Sequence, residues 1–153
     1  MKIREANKYD LPYFIELIKK LASSEHIMRY NYGELDDDHL NTIFSTIIAG
    51  RGTILLVEDE ETKELHGMAA GIINPHLYAP HILIMTQIIL WVDEEVRKKA
   101  GYKLMSAYED KTDEYIEEGR IRYGVITASE PLFDMDFSKY GYTMDEKCWS
   151  RGQ

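Results

Sequence analysis

The segment VDEEVRKKAGYKLM, residues 92–105, decides the fold. An apolar strand ends at Val92, three consecutive cations occupy positions 97–99, and the small pair Ala100–Gly101 precedes an amphipathic helix that we predict over residues 101–118. Unpaired backbone N–H groups at a helix start, flanked by small residues that let a ligand approach, bind phosphate. We therefore predict an anion site formed by the main chain beside Gly101 and by the three cations.

Hydrophobic spacing predicts the elements on either side of this segment. Two helices are indicated by apolar residues at helical spacing, first at Leu11, Phe14, Ile15, Ile18 and Leu21 and then at Leu40, Ile43, Phe44, Ile47 and Ile48. The remaining elements are strands at residues 2–6, 53–58, 65–74, 82–92, 122–128 and 142–149 and a short helix at 131–140. This order predicts a single α/β domain, residues 1–153, with a mixed sheet.

Composition limits the classes of function. At 153 residues, with 44% hydrophobic and 29% charged residues, the chain is long enough for one folded core and too short for two ordinary domains. The longest apolar run, Ile82–Val92, is well short of the roughly 20 residues that span a bilayer. The N-terminus lacks an apolar signal segment and the chain has a single cysteine, so we expect a reducing cytoplasm.

The net charge of −9 argues against nucleic acid as a partner, because phosphate backbones attract the opposite sign. The acidic groups either keep the protein soluble, which we favour, or attract a cationic acceptor such as a primary amine.

Three stretches resemble the GNAT acetyltransferase superfamily and occur in the family's order. Residues 92–105 are similar to the family's coenzyme-binding loop, Gln/Arg-x-x-Gly-x-Gly/Ala. With Gly101 at the last position, Lys99 stands in place of the first Gly and Val96 in place of the leading Arg or Gln. KIREANKYDLPYFIELIKKL, residues 2–21, resembles the first strand and helix, and FSKYGYTMDEKCWSR, residues 137–151, resembles the closing turn and last strand. Small stand-alone members, some carried by bacteriophages, are similar to this chain.

The resemblance implies a mostly antiparallel mixed sheet flanked by about four helices. The strands that end at Val92 and Ala128 would splay apart and form a slot for the pantetheine arm of acetyl-CoA. The implied activity is that of an acyltransferase, which moves an acetyl group from acetyl-CoA to a primary amine by direct attack. The resemblance places two groups of residues at the coenzyme. The first is Leu90, Trp91 and Val92, whose backbone would hold the thioester oxygen. The second is Arg97, Lys98, Lys99, Ala100, Gly101 and Tyr102.

The residues that move protons are less well defined. In the family a tyrosine of the closing turn often protonates the leaving thiolate. This chain has Phe137 there, which leaves Ser138, another tyrosine or water as the donor. Glu130 is the candidate catalytic base. Its alternative role is to cap a helix that begins at Pro131, and we favour the cap.

His76, Tyr78 and His81 lie in a predicted turn that in the family borders the acceptor pocket, which makes them candidate substrate contacts. Two histidines without a third nearby ligand make a poor zinc site, so no metal is expected.

Two other functions stay open. A protein of this fold could be a non-catalytic acyl-CoA-binding sensor or a protein-interaction module, which the loop substitutions and Phe137 favour. The chain could also be an unrelated α/β domain whose basic turn binds nothing. No residue specifies the acceptor, a small-molecule or peptide amine, or decides whether the protein forms a homodimer.

Overall fold

The computed structural model describes residues 1–23, 35–127 and 136–144. Five strands form one sheet: Lys2–Glu5 (β1), Gly52–Glu58 (β2), Leu65–His76 (β3), Ala79–Val92 (β4) and Tyr123–Val125 (β5). They lie in chain order, and every neighbouring pair is antiparallel except β4 and β5, which are parallel. The predicted mixed, mostly antiparallel sheet is therefore confirmed.

Three α-helices belong to the described residues: Leu11–Ala22 (α1), Asp37–Thr46 (α2) and Glu94–Glu117 (α3). None of these three is both long enough and apolar enough to cross a membrane. The described part of the predicted fourth helix is a single 3-10 turn, Phe137–Tyr140. The predicted last strand is not formed at residues 142–144, and its remainder lies outside the described residues.

The sheet separates two hydrophobic cores. In β2, Ile54 and Leu56 face α1 and α2, whereas Leu55 and Val57 face α3, and all four are at most 4% exposed. A strand that is covered on both faces needs apolar residues at successive positions, and the run ILLV supplies them. The sheet is thus a buried middle layer between α1–α2 and α3.

An ion-pair network ties the start of the chain to this sheet. Arg4 donates two hydrogen bonds to Asp10, at 2.8 and 2.9 Å, and a third to Glu58. The Asn7 N–H also donates to Asp10, at 2.7 Å, and this bond helps to begin the helical turn before α1. Burial alone would raise the pKa of Asp10, but the hydrogen bonds from Arg4 and Asn7 outweigh it and lower that pKa below its ordinary value.

Replacing Asp10 by Asn (D10N) should lower the free energy of unfolding by about 2 kcal/mol at neutral pH, because it removes one of the two carboxylates that bind the part-buried Arg4. Since folding lowers the pKa of Asp10, this contribution is present above about pH 4 and is lost as the pH falls. Urea unfolding should therefore separate wild type from D10N at neutral pH and bring them together towards about pH 2. E61Q, on the exposed β2–β3 turn, is the control and should match wild type. A D10N defect that does not change with pH would contradict this account.

Candidate active site

β4 and β5 pair over three residues and then separate. The pairs are Ile84 with Tyr123, Met85 with Gly124 and Thr86 with Val125. Beyond them β4 continues to Val92, and among the described residues it pairs there with β3 alone. The next link across the gap is a side chain, because the Thr127 N–H donates to Gln87 Oε1 at 3.1 Å. The edge of β4 beyond Thr86 thus has no strand partner on the β5 side within residues 1–23, 35–127 and 136–144, and we call this open edge the crevice.

A β-bulge lies in β4 where this crevice begins. The pairing with β3 steps from Ala70–Ile89 to Gly71–Gln87, so Ile88 is left without a partner. A bulge bends its strand and interrupts the hydrogen-bond ladder. The bend falls two residues after the last pair with β5, and it therefore helps to turn β4 away from that strand.

The open edge of β4 presents the backbone of alternate residues. After the bulge, the Asp93 N–H donates to the His66 C=O of β3 at 2.8 Å. Backbone groups of successive residues in a strand point to opposite edges. The N–H and C=O groups of Leu90 and Val92 therefore point into the crevice, whereas those of Trp91 point to β3.

α3 begins at Glu94 and not at Gly101, so the predicted start of this helix is wrong. Because residues 98–101 are helical, their amides donate to carbonyls one turn earlier and are not free to bind an anion. The amides without such partners belong to the first turn, where Glu94 and Glu95 add negative charge. The run EEVRKKA, made mostly of good helix formers, is compatible with a helix from Glu94, but the resemblance to the family's loop placed the start at Gly101.

The predicted coenzyme residues of α3 have different surroundings. Lys98, Lys99 and Tyr102 are exposed to solvent. Ala100 is fully buried in the core under the sheet, where its small side chain allows close packing, and Gly101 lies beside the stem of Arg97. Only the exposed side chains are available to a ligand without a change in the core.

Arg97 crosses the open edge of β4. Its Nε donates to the Val92 C=O at 3.0 Å, and its guanidinium carbon lies 5.2 Å from the centroid of the Trp91 ring. Trp91 packs on the opposite face of the sheet from α3, beside Lys20 of α1, whose Nζ is 5.7 Å from the same ring. Arg97 therefore lies at the outer end of the crevice and is held by protein atoms.

Asp93, between β4 and α3, has polar partners from three elements. Trp91 Nε1 donates to it at 3.2 Å, Lys20 donates at 3.3 Å, and His66 Nδ1 lies 3.6 Å away. A cavity of about 190 Å³ adjoins it on the α1 side, where Tyr13 and Glu16 form part of the wall. Two carboxylates thus lie near the outer end of the crevice.

The closing segment, residues 136–144, carries the remaining predicted donor. The Ser138 N–H and hydroxyl both donate to Asp136 Oδ1, and these bonds lower the pKa of Asp136. Ser138 therefore already uses its proton in a bond to a carboxylate. Phe137 packs against the core under α3. Glu130 lies outside the described residues.

The β3–β4 hairpin carries the candidate substrate residues at the far end of β4. Tyr78 is 87% exposed, and its N–H donates to His76 Nδ1 at 3.2 Å. At about 3.3 Å per residue, His81 is about 30 Å from Leu90 along the strand. The structure therefore does not bring His76, Tyr78 and His81 to the crevice. Within the described ranges, no group of three His, Cys, Asp or Glu residues is placed to hold a metal.

The sequence reasoning missed one pair, Glu109 and Tyr142. The Tyr142 hydroxyl donates to Glu109 Oε1 at 2.8 Å. Burial is the main cause that raises the pKa of Glu109 to about 7; Asp113 and Asp110 act in the same direction, and the bond from Tyr142 opposes them. A signal was present: Glu109 lies four residues after the buried Met105, on the inward face of α3.

Glu109 should titrate with a midpoint of about 7, which ¹³C NMR of its side-chain carboxyl carbon would measure. Removing the Tyr142 hydroxyl (Y142F) should move the midpoint upward, because that bond favours the carboxylate. Y140F, in the same segment, is the control and should leave the midpoint unchanged. A midpoint near about 4.3, the value of a free glutamate, would show that this carboxyl is solvated.

Solved structures share this fold over nearly the whole chain. A predicted acetyltransferase from Clostridium acetobutylicum, solved with acetyl-CoA, is 17% identical, with a TM-score of 0.72 over 99% of this chain and 95% of that one. Glucosamine-6-phosphate N-acetyltransferase from Arabidopsis thaliana is 19% identical, with a TM-score of 0.67 over 99% and 97%. A GNAT family acetyltransferase from Staphylococcus aureus is 13% identical, with a TM-score of 0.59 over 99% and 98%.

Neither a protein-family model nor a curated protein matches the sequence. The structural likeness establishes the fold: the chain has the fold of the GNAT acetyltransferases.

Proposed function

We propose that this protein is an acyltransferase that binds acetyl-CoA along the open edge of β4 and transfers the acetyl group to a primary amine. The observation that carries the proposal is the backbone of Leu90 and Val92, which faces the open edge of β4 where, among the described residues, β5 no longer pairs with it. An extended ligand arm that contains amides can pair with such an edge as an added strand does. The pantetheine arm of coenzyme A is an extended chain with two amides.

The reaction needs little from side chains at the acyl group. Bound acetyl-CoA supplies a thioester whose carbonyl carbon is attacked by the neutral amine, and the C–N bond forms as the C–S bond breaks. An N–H group of the β4 edge, fixed by the bulge at Ile88, would stabilise the negative charge that develops on the carbonyl oxygen. The thiolate then leaves and takes up a proton, and the attacking nitrogen loses one, so the products are the neutral amide and the free thiol.

The diphosphate would lie at the start of α3. Exposed Lys98 and Lys99 supply the charge, and the first-turn amides supply donors. Arg97, held by Val92 and Trp91, would form the wall beside the arm, and Tyr102 would border the solvent side. Ala100 and Gly101 would contribute by letting α3 lie close to the sheet.

The acceptor is proposed to be a small cationic amine. The net charge of −9 favours the approach of an alkyl ammonium, which then loses its proton before attack. The name of the Arabidopsis neighbour gives an amino sugar phosphate as that protein's acceptor. It supports the class of acceptor here and not its identity.

A non-catalytic acyl-CoA-binding module is the second candidate. Phe137 has no proton to give, and the Ser138 hydroxyl is already bonded to Asp136. A protein of this fold that binds the coenzyme without turnover would account for both features.

Incubating the protein with acetyl-CoA and a panel of primary amines should release free thiol and acetylated amine in equal amounts. A colorimetric thiol reagent measures the free thiol, and mass spectrometry measures the acetylated amine. Tight coenzyme binding without product across the panel would favour the second candidate. The absence of coenzyme binding would contradict both.

Replacing Lys98 and Lys99 by Glu should weaken coenzyme A binding at least about tenfold, equivalent to about 1.4 kcal/mol, because the diphosphate loses two cations. Isothermal titration calorimetry measures the dissociation constant. The matched control, K8E with R51E, makes the same change in net charge at exposed positions before α1 and β2 and should bind almost normally. Equal affinity in the two double variants would show that Lys98 and Lys99 do not contact the ligand.

A further inference from the structure

The bulge at Ile88 decides which residues of β4 face the open edge. Before the bulge, Leu83 packs against the core under α3, and its C=O accepts the Arg122 N–H at 2.7 Å on the β5 side. After the bulge, Leu90 and Val92 pack in that same core and direct their backbone to the same side. The residues that do so are therefore odd-numbered before the bulge and even-numbered after it.

Without Ile88 as an extra residue, the alternation along β4 would continue unbroken. Ile89 and Trp91, which now pack in the core under α1 and α2, would turn their side chains towards α3 and their backbone to the open edge. The amides of Leu90 and Val92 would then point to β3. The position of the bulge therefore selects the donors at the proposed coenzyme site.

Tyr108 of α3 lies under the two strands at the bulge. Gly71 of β3 pairs with Gln87, the last residue before Ile88. A Cβ atom built on Gly71 would clash with the Tyr108 hydroxyl oxygen and would lie 3.0 and 3.1 Å from Cγ and Sδ of Met85. The hydroxyl thus lies against the main chain of Gly71 and fills the space that a side chain would need.

This hydroxyl is buried without a hydrogen bond. Tyr108 is 2% exposed, and its oxygen is closed off from water and has no partner among the described residues. Tyr115, two turns later on α3 and in the same core, instead donates to the Gly52 C=O at 3.0 Å. An unpaired buried hydroxyl destabilises a folded protein. What the oxygen contributes at position 108 is therefore its volume.

We propose that Tyr108 is a positioning residue: its hydroxyl, packed on Gly71, holds the bulge at Ile88 and so keeps the Leu90 and Val92 amides on the open edge. This inference rests on the proposed function, because it concerns the donors of that same site.

Close packing is the physical basis of this role. Protein interiors contain few voids as large as a water molecule, so one oxygen atom is enough to set how closely α3 approaches the sheet at Gly71. The hydrogen-bond ladder is already interrupted at Ile88, which makes this the point of β4 that yields when its support changes. A donor misplaced by about 1 Å can lower a rate about 100-fold.

The first test compares Y108F with the control Y115F. Y108F removes only the unpaired oxygen, so its urea midpoint should equal or exceed that of wild type. At saturating substrates in the amine acetylation assay its kcat should nevertheless fall at least about tenfold, because the donors move. The dissociation constant of coenzyme A should change less than about threefold, since the cations at the start of α3 are intact. Y115F leaves the Gly52 C=O without its donor and should lower the urea midpoint with no change in kcat.

The bulge can also be observed without turnover. In ¹H–¹⁵N spectra of the free protein, Y108F should shift the amide signals of Ile88, Leu90 and Val92, whereas Y115F should leave them in place. These signals report on the proposed contact even in a protein that binds acyl-CoA without transferring the acyl group.

A second substitution tests whether the oxygen acts as a spacer. Adding G71A to Y108F places a Cβ atom beside the position of the lost oxygen, and only the flexible end of Met85 has to give way. The double variant should therefore recover most of the lost kcat and the wild-type amide signals. G71A alone forces its Cβ against the Tyr108 oxygen and should lower both kcat and the urea midpoint. If G71A alone does not fold, the comparison of Y108F with the double variant still decides.

Three results would overturn the proposal: kcat and amide signals unchanged in Y108F, an equal loss of kcat in Y108F and Y115F, or a double variant no more active than Y108F. Each can occur in a working acetyltransferase, so each contradicts the positioning role alone. If wild type neither binds coenzyme A nor acetylates any amine, the proposed function fails, and the amide signals of Y108F then decide by themselves whether Tyr108 holds the bulge.

Discussion

The candidate site depends on one feature of the sheet: β4 has a strand partner on both sides for only part of its length. Up to Thr86 the strand lies between β3 and β5, and after the bulge at Ile88 its partner in the described part of the chain is β3 alone. An exposed strand edge with unpaired backbone groups is normally a hazard, because it can pair with another chain. Here the edge is short, lies between two covered faces of the sheet, and is crossed at its end by Arg97. Such an edge suits an extended ligand better than a second protein strand.

The two cores hold this edge in place from opposite sides. Trp91 belongs to the core under α1 and α2, whereas Leu90 and Val92 belong to the core under α3. Backbone groups that point sideways from a strand so anchored cannot rotate to find other partners. This rigidity is what a preorganised oxyanion site requires, because its donors must be in place before charge develops. It would also allow the proposed reaction to proceed with few catalytic side chains.

The sequence predicted the parts of this arrangement that depend on periodicity. The strand β2, the apolar faces of α1 and α2, and the order of the elements all follow from local patterns. The start of α3 was missed because the family motif placed it at Gly101, although Glu94 to Ala100 contains no helix breaker. The hairpin residues His76 and His81 were assigned to the site by analogy. The distance between these histidines and Leu90 depends on the length of β4, which only the folded sheet shows. Glu109 and Tyr142 are 33 residues apart, and only tertiary structure brings them together.

Residue-specific hydrogen exchange of the β4 amides tests the central claim most directly. If the edge binds the coenzyme arm, the amides of Leu90 and Val92 should exchange quickly in the free protein and slow markedly when acetyl-CoA is added. The amide of Trp91, which points to β3, should be protected in both states and serves as the internal reference. Leu90 and Val92 amides that are already protected without ligand, or that exchange equally fast with it, would show that this edge is not where the coenzyme binds.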